Sequence, residues 1–527
     1  MARDDSLFEQ KPDAAQLVHD ETPPEFEQYT SNRRFFGHPE GLSTLFFTEM
    51  WERFSYYGIR PLLILFMTAA LTSGGFAFDR QTAAAIVGIY AASVYLAALP
   101  GGWIADRWLG LRRSIWYGGL FITAGHASIA LSSVFAQHVF FLGLILIVIG
   151  TGLLKPNISA IVGDLYPEGG SRRDAGFSIF YMGINIGALA APLLTGYLGE
   201  RVGWHYGFGI AGVGMLLGVL WYRFGANRTL GPIGMEPSAD LPERRRVRAI
   251  SLGGLGVIAL LVLLASIGVI PINPIAVAES MTAVILSMAL LYFAYVFFLG
   301  GVNTDEKKRI AVIVVLFLFA VVFWSAFEQA PTSLNLFARD FTDRVVFGWE
   351  MPTLWLQSAN SFFVITLAPV FAAIWIALGK RGRDPSSPAK FAIGLFFAGL
   401  GFLIMVWAAN RVIAGGAEFR VSPWWLVFSY FLQTLGELSL SPVGLSSMTK
   451  LSPRKFVGQM MGVWFMAAAL GNLIAGLVGG NVDPENLQQM PELFFRTAMS
   501  LFIATAVLAL LIVPIRRMMR ETTARSH

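Results

Sequence analysis

Glu49-Met50-Trp51-Glu52-Arg53-Phe54-Ser55-Tyr56-Tyr57-Gly58-Ile59-Arg60 lies inside a segment, 42–69, that otherwise reads as a membrane-spanning helix. Measured from Glu49, residues Glu52, Arg53, Tyr56, Tyr57 and Arg60 recur at helical spacing. At 3.6 residues per turn all six share one face, within an arc of about 140°. Each charged group facing lipid would cost roughly 2.5–3.5 kcal/mol even on the lenient insertion scale. The face must therefore look into a bundle or a wet cavity that handles something polar, charged or protonic.

Composition agrees. Hydrophobic residues make up 55% of the 527 and charged ones 14%, against about 25% charged in soluble domains; the mean hydropathy is +0.60. The length leaves room for a dozen or more spans of about 20 residues. The absence of cysteine excludes disulfides, thiolate metal sites and cysteine nucleophiles. No basic stretch followed by a short apolar run opens the chain, so no cleaved signal peptide is expected. The first forty residues are acid-rich, from Asp4 to Glu27, and read as a disordered cytoplasmic tail. No zinc pair, nucleophile elbow or phosphate loop is found, so neither an enzyme nor an ATP-driven pump is expected, and energy must come from an ion gradient.

Fourteen apolar segments recur between 42 and 515. An even number places both termini on one side. The loops on that side carry Arg107/Arg112/Arg113, Arg172/Arg173, Arg244/Arg245/Arg246/Arg248, Lys307/Lys308/Arg309, Lys380/Arg381/Arg383, Lys450/Arg454/Lys455 and Arg516/Arg517/Arg520. The positive-inside rule makes it cytoplasmic, and gives the net charge of +5 a topological rather than a nucleic-acid meaning. The organisation read from this pattern is a tail (1–40), a six-helix bundle (41–224), a cytoplasmic linker (225–248), a helical hairpin (249–299), a second six-helix bundle (300–516) and a tail (517–527). The hairpin segments are apolar nearly all round and carry one charge, Glu279, so they suit a scaffold or a lipid-facing role. Six plus six around them is the pattern of a transporter built from repeated halves.

The stretch Gly101-Gly102-Trp103-Ile104-Ala105-Asp106-Arg107-Trp108-Leu109-Gly110-Leu111-Arg112-Arg113 resembles the loop signature of the major facilitator superfamily. The helix-one stretch resembles the first-helix signature of the proton-dependent oligopeptide transporters within that superfamily. Phe177-Ser178-Ile179-Phe180-Tyr181-Met182-Gly183-Ile184-Asn185-Ile186-Gly187 resembles their fifth-helix signature, and Lys155-Pro156-Asn157 is similar to their fourth-helix motif. Phe323-Trp324, Glu328-Gln329, Asn360, Glu437 and Trp464 fall where that family keeps binding residues.

The resemblance implies an all-α major facilitator fold with fourteen transmembrane helices, two six-helix bundles rocking about a central cavity with the hairpin between them. It implies a proton-coupled symporter of di- and tripeptides in a bacterial inner membrane, with protons as coupling ion and no other cofactor or metal. A functional monomer is the expectation. Alternatives are a relative carrying nitrate or peptide-like drugs, or a membrane peptide sensor that binds without transport. Arg60, Lys155 and Asn185 are expected to receive the peptide carboxylate, and Asn360 and Glu437 its amino group. Tyr56, Tyr57, Tyr95, Trp324 and Trp464 are expected to line the pocket. Proton coupling is assigned to Glu49, Glu52, Arg53, Lys155 and Glu328; no histidine falls in the second helix, so carboxylates should carry it. Matched depths at 1.5 Å per residue place Arg60 opposite Glu328 and Lys155 opposite Glu437, and both pairs are expected as gate salt bridges when the outer side is closed. Four intramembrane carboxylates against three cations leave one negative charge, which a single bound proton would neutralise.

Overall fold

The computed structural model describes residues 24–134, 137–416 and 419–524. The first half holds α1 (Glu40–Thr68), α2 (Arg80–Ile104), α3 (Leu111–Leu131), α4 (Gln137–Asp164), α5 (Gly170–Tyr197) and α6 (Trp204–Thr229). A hairpin follows, α7 (Leu241–Ser266) and α8 (Pro274–Ala294). The second half holds α9 (Thr304–Phe327), α10 (Ser358–Lys380), α11 (Ser387–Gly415), α12 (Trp424–Leu451), α13 (Val457–Val478) and α14 (Gln489–Ala524). Eleven of these are long and apolar enough to cross a membrane; α1, α3 and α12 have the length and a more polar sequence.

Helix starts follow capping chemistry. Asp79 accepts from Thr82 N at 2.8 Å to open α2, and Asp240 from Glu243 N at 3.0 Å to open α7. Asn303 and Glu306 form a reciprocal capping box at the start of α9. Within the first half α1 packs on α5 and α6, and α3 on α4 and α6; in the second, α11 packs on α12 and α14. The halves meet along α2–α13 and α5–α10. Of the hairpin, α8 lies against both α2 and α13, while α7 stands outside with Val247 as its one buried residue.

Small residues set the tightest crossings, as in other membrane bundles. A Cβ on Gly101 would lie 1.9 Å from the carbonyl oxygen of Gly152. Pro156, four residues on, has no N–H to offer that carbonyl, so α2 and α4 approach where the ladder is open. Between the halves, a Cβ on Gly88 would fall 2.9 Å from Gly476 Cα.

Four features depart from the sequence reading. The segment expected as one helix over 309–338 is broken: α9 ends at Phe327, Glu328 caps it, and a π-turn (Ala330–Leu334) leads to a short helix (Asn335–Asp340). Pro331 is the cause, because its ring cannot donate to the carbonyl of Phe327 and clashes with it. The expected N-terminal tail lies outside the described residues up to 23, but Pro24–Thr30 is helical and 24–39 folds onto the first half. There Arg172 donates to the carbonyls of Thr30 and Asn32 at 3.3 and 3.1 Å. At the other terminus, α14 stays helical to Ala524, past the expected start of the tail. Finally, a two-stranded hairpin pairs Val345 with Glu350 and Val346 with Trp349 in an otherwise helical chain.

Candidate functional site

The arginine-rich loops lie at the end of the molecule where the described residues begin, at 24, and finish, at 524, here called the basic end. A cavity of about 160 Å³ lies between the halves, with Tyr57, Arg60, Tyr95 and Asn185 on one wall and Trp324, Glu328, Asn360 and Glu437 on the other. Cavity-lining Tyr181 is 46% exposed.

The walls carry opposite polar character. Arg60, on α1, places Nη2 against both the Glu328 carboxylate and Asn472 Oδ1, the latter at 2.6 Å. Its Nε finds no partner among the described residues. Glu328 sits at the C-terminal end of α9, where free carbonyls disfavour an anion, and the guanidinium across the interface offsets this. On the far wall Asn360 Nδ2 donates to Glu437 Oε2 at 3.1 Å and to Thr434 Oγ1 at 2.9 Å. Trp324 is buried against Gly471, and its indole N–H has no acceptor among the described residues. Asn185 donates to Tyr181 O at 2.9 Å.

Beside the cavity stands the helix-one charge cluster. Arg53 lies 3.1 Å from Glu49 and in contact with Glu52. Glu49 Oε2 and both Glu52 oxygens nonetheless lack a hydrogen-bond partner of good geometry among the described residues, although all three side chains are buried. Buried carboxylates in that condition are costly unless their charge is offset, which Arg53 does here. Lys155 lies within electrostatic reach of this cluster, with its ammonium 4.4 Å from the Tyr95 ring centroid. Tyr56 is buried beneath the cations, with the Arg53 and Arg60 guanidiniums 5.3 and 5.9 Å from its ring.

The structure thus brings Arg60 to Glu328 and does not bring Lys155 to Glu437. No ion pair joins the latter two: Glu437 is held by Asn360 and Lys155 rests on Tyr95. Trp464, expected as a pocket wall, packs instead against Gly444 and the Phe391 ring. The fit is steric, since a Cβ on Gly444 would strike the indole. Tyr56, also expected in the pocket, does not line the cavity.

Several contributors escaped the sequence reading. Gln357 donates to Tyr430 OH at 3.0 Å on the cavity wall, and Asn472 completes the Arg60 site. A polar residue in the apolar run of α13 was the available signal for Asn472. The end opposite the basic one is held by a latch. Arg80 bonds Asp340 at 2.6 Å and Val482 O at 2.7 Å; Glu200 accepts from Thr353 N, Thr353 Oγ1 and Leu354 N at 2.9, 2.8 and 3.1 Å. At the basic end no ion pair bridges the two six-helix halves among the described residues. Among the described residues, the polar bonds between the halves outside the cavity are thus gathered at the latch end.

A profile described as the POT family matches residues 112–491. "Peptide transporter YePEPT" of Yersinia enterocolitica is 52% identical over 500 residues, covering 93% of this chain and 97% of that protein. The "Di-/tripeptide transporter" of Lactococcus lactis is 38% identical over 490 residues, covering 92% and 95%. A crystal structure of a peptide transporter POT in complex with sulfate superposes with a TM-score of 0.86 at 40% identity, covering 94% of this chain and 99% of that one.

Proposed function

The chain belongs to the POT family, and on that footing we infer that it imports di- and tripeptides, driven by protons, by alternating access across a bacterial inner membrane. The carrying observation is the cavity between the halves, with a cation on one wall and a carboxylate–carboxamide pair on the other. A zwitterionic peptide needs opposite partners at its two ends. Arg60 and Asn185 receive the carboxylate, since a guanidinium grips a carboxylate with two parallel bonds. Lys155 joins them once Tyr95 moves aside. Glu437 and Asn360 receive the amino group, and the free indole N–H of Trp324 serves a peptide carbonyl.

The loop charges support a cytoplasmic basic end, and with it cytoplasmic termini. The molecule then faces inward, closed outside by the latch and by Arg60–Glu328. Protonating Glu328 removes the charge that holds Arg60 and frees that arginine for a peptide carboxylate. Proton and peptide thereby act on the same pair and bias the same two conformations, which is what coupling requires. The Glu49/Glu52/Arg53 cluster with Lys155 holds the competing proton site.

Purified protein in liposomes tests the reading. A proton gradient, acid outside, should drive uptake of labelled dipeptide above its external concentration, and unlabelled di- and tripeptides should compete while nitrate does not. Binding without accumulation would reduce the protein to a sensor, and competition by nitrate alone would replace the substrate.

A further inference from the structure

A second concave site lies away from the central cavity, at the basic end of the groove between α3 and α6. It encloses about 340 Å³ and is lined by Arg112, Arg113, Trp116, Arg223 and Asn227. Three arginines line it and no carboxylate does. Arg112 is buried, and its partners are neutral: the Gly231 carbonyl and Asn227 Oδ1 at 2.5 Å. Arg223 stands over the Trp116 ring at 5.8 Å, while Arg113 is exposed with no acidic partner among the described residues. The acids nearby are engaged elsewhere, Glu236 with Arg244 at 3.4 Å and Glu40 with Arg228 at 3.0 Å. Arg112 and Arg113 also occupy the first turn of α3, which holds no acidic residue. That is the end of a helix where cations are disfavoured and anions stabilised. The arrangement is short of an anion.

Depth identifies the anion's source. Trp116 lies five residues into α3 and Arg223 six residues before the end of α6, each about 8–9 Å from the helix terminus. From there toward the membrane centre the same faces of the two helices carry exposed leucines one and two turns on, Leu120 at 39%, Leu220 at 41% and Leu216 at 43%. The floor between them is closed by Gly119 against Val219. A basic pocket roomy enough for a phosphate headgroup, with apolar helix faces beyond it, fits a molecule with an anionic head and a hydrocarbon tail.

We propose that the α3/α6 groove is a binding site for an anionic phospholipid, its phosphate held by Arg112, Arg113 and Arg223 and an acyl chain lying along the leucine track. Each basic group near a membrane surface strengthens such binding several-fold. The test is native mass spectrometry of the purified protein with equimolar phosphatidylglycerol and phosphatidylcholine of matched chains. The wild-type protein should retain phosphatidylglycerol preferentially. The double variant Arg113→Gln/Arg223→Gln should lose that preference by roughly tenfold or more, and Trp116→Leu, which frees Arg223, should lose part of it. The variant Arg245→Gln/Arg246→Gln, which removes two exposed arginines at the same end, should keep it. Equal loss in both double variants would mean a diffuse basic field and overturn the site. Displacement of the lipid by millimolar inorganic phosphate would make the ligand a free phosphate and overturn the lipid assignment. Unchanged thermal unfolding in zwitterionic micelles checks that the variants are folded, and Trp116→Leu carries the test if the double variant is not.

Discussion

Arg60 makes both of its site contacts through one nitrogen, reaching Glu328 and Asn472 Oδ1 together. Replacing Glu328 by Gln keeps the shape and removes the charge, so Arg60 is no longer tied to the second half by an ion pair. The expected result is loss of proton-driven accumulation in liposomes while exchange of peptide across the same membrane persists. If Glu328→Gln still concentrates peptide, the coupling proton belongs to Glu49 and Glu52. On the opposite wall, Glu437→Ala removes a charged acceptor for the peptide amino group, a loss of about 1.5–3 kcal/mol or roughly ten- to a hundred-fold in affinity. N-acetylated peptides lack the charge and should lose much less; equal losses, read by competition binding, would remove Glu437 from that role. The depth of each charge along its helix was enough to match Arg60 with Glu328. It could not show that Lys155 would settle on Tyr95 instead of Glu437, because depth along a helix says nothing of the lateral distance to each neighbour.

At the scale of elements, hydropathy marked the apolar segments in which the long helices lie. The break after Glu328 was not legible, since periodicity continues through it; only Pro331 marked it. The latch residues Arg80, Glu200, Asp340 and Thr353 sat at segment ends with nothing in their local sequence to name a partner more than a hundred positions away. The α2–α13 crossing gives a test of closure. Gly88→Val would place side-chain atoms where Gly476 Cα and Asn472 O now lie, which overpacks the crossing by about 1–3 kcal/mol. It should slow transport while leaving peptide binding in detergent within a few-fold, as measured by uptake and by isothermal titration. The N-terminal strap offers a pH test outside the membrane. His38 Nδ1 meets Tyr166 OH at 2.9 Å, and burial, then the Arg172 guanidinium, push the imidazole below its ordinary value of 6.5. A lowered folded value means the strap's stabilisation is complete above 6.5 and is lost as pH falls through that lower value. Hydrogen exchange of residues 24–40 should therefore speed up on acidification, and His38→Gln, which still bonds the tyrosine, should flatten the response.

The whole molecule is held by unequal ends. Polar bonds join the halves at the latch, reinforced by the Gly88–Gly476 approach, and none of the described ion pairs joins them at the basic end. For a carrier working in cycles, this asymmetry sets the tempo. In the proposed alternating-access cycle the empty carrier would rest facing inward, and its return would have to undo Arg80–Asp340, the Glu200 bonds and Arg60–Glu328 with no ligand to help. A carrier loaded from within has a peptide carboxylate competing for Arg60 and reorients sooner. Entry of labelled dipeptide should accordingly quicken when vesicles are preloaded with unlabelled dipeptide, and Arg80→Gln should narrow the gap between loaded and empty vesicles. The latch, built far from the substrate, would then be the clock of the cycle.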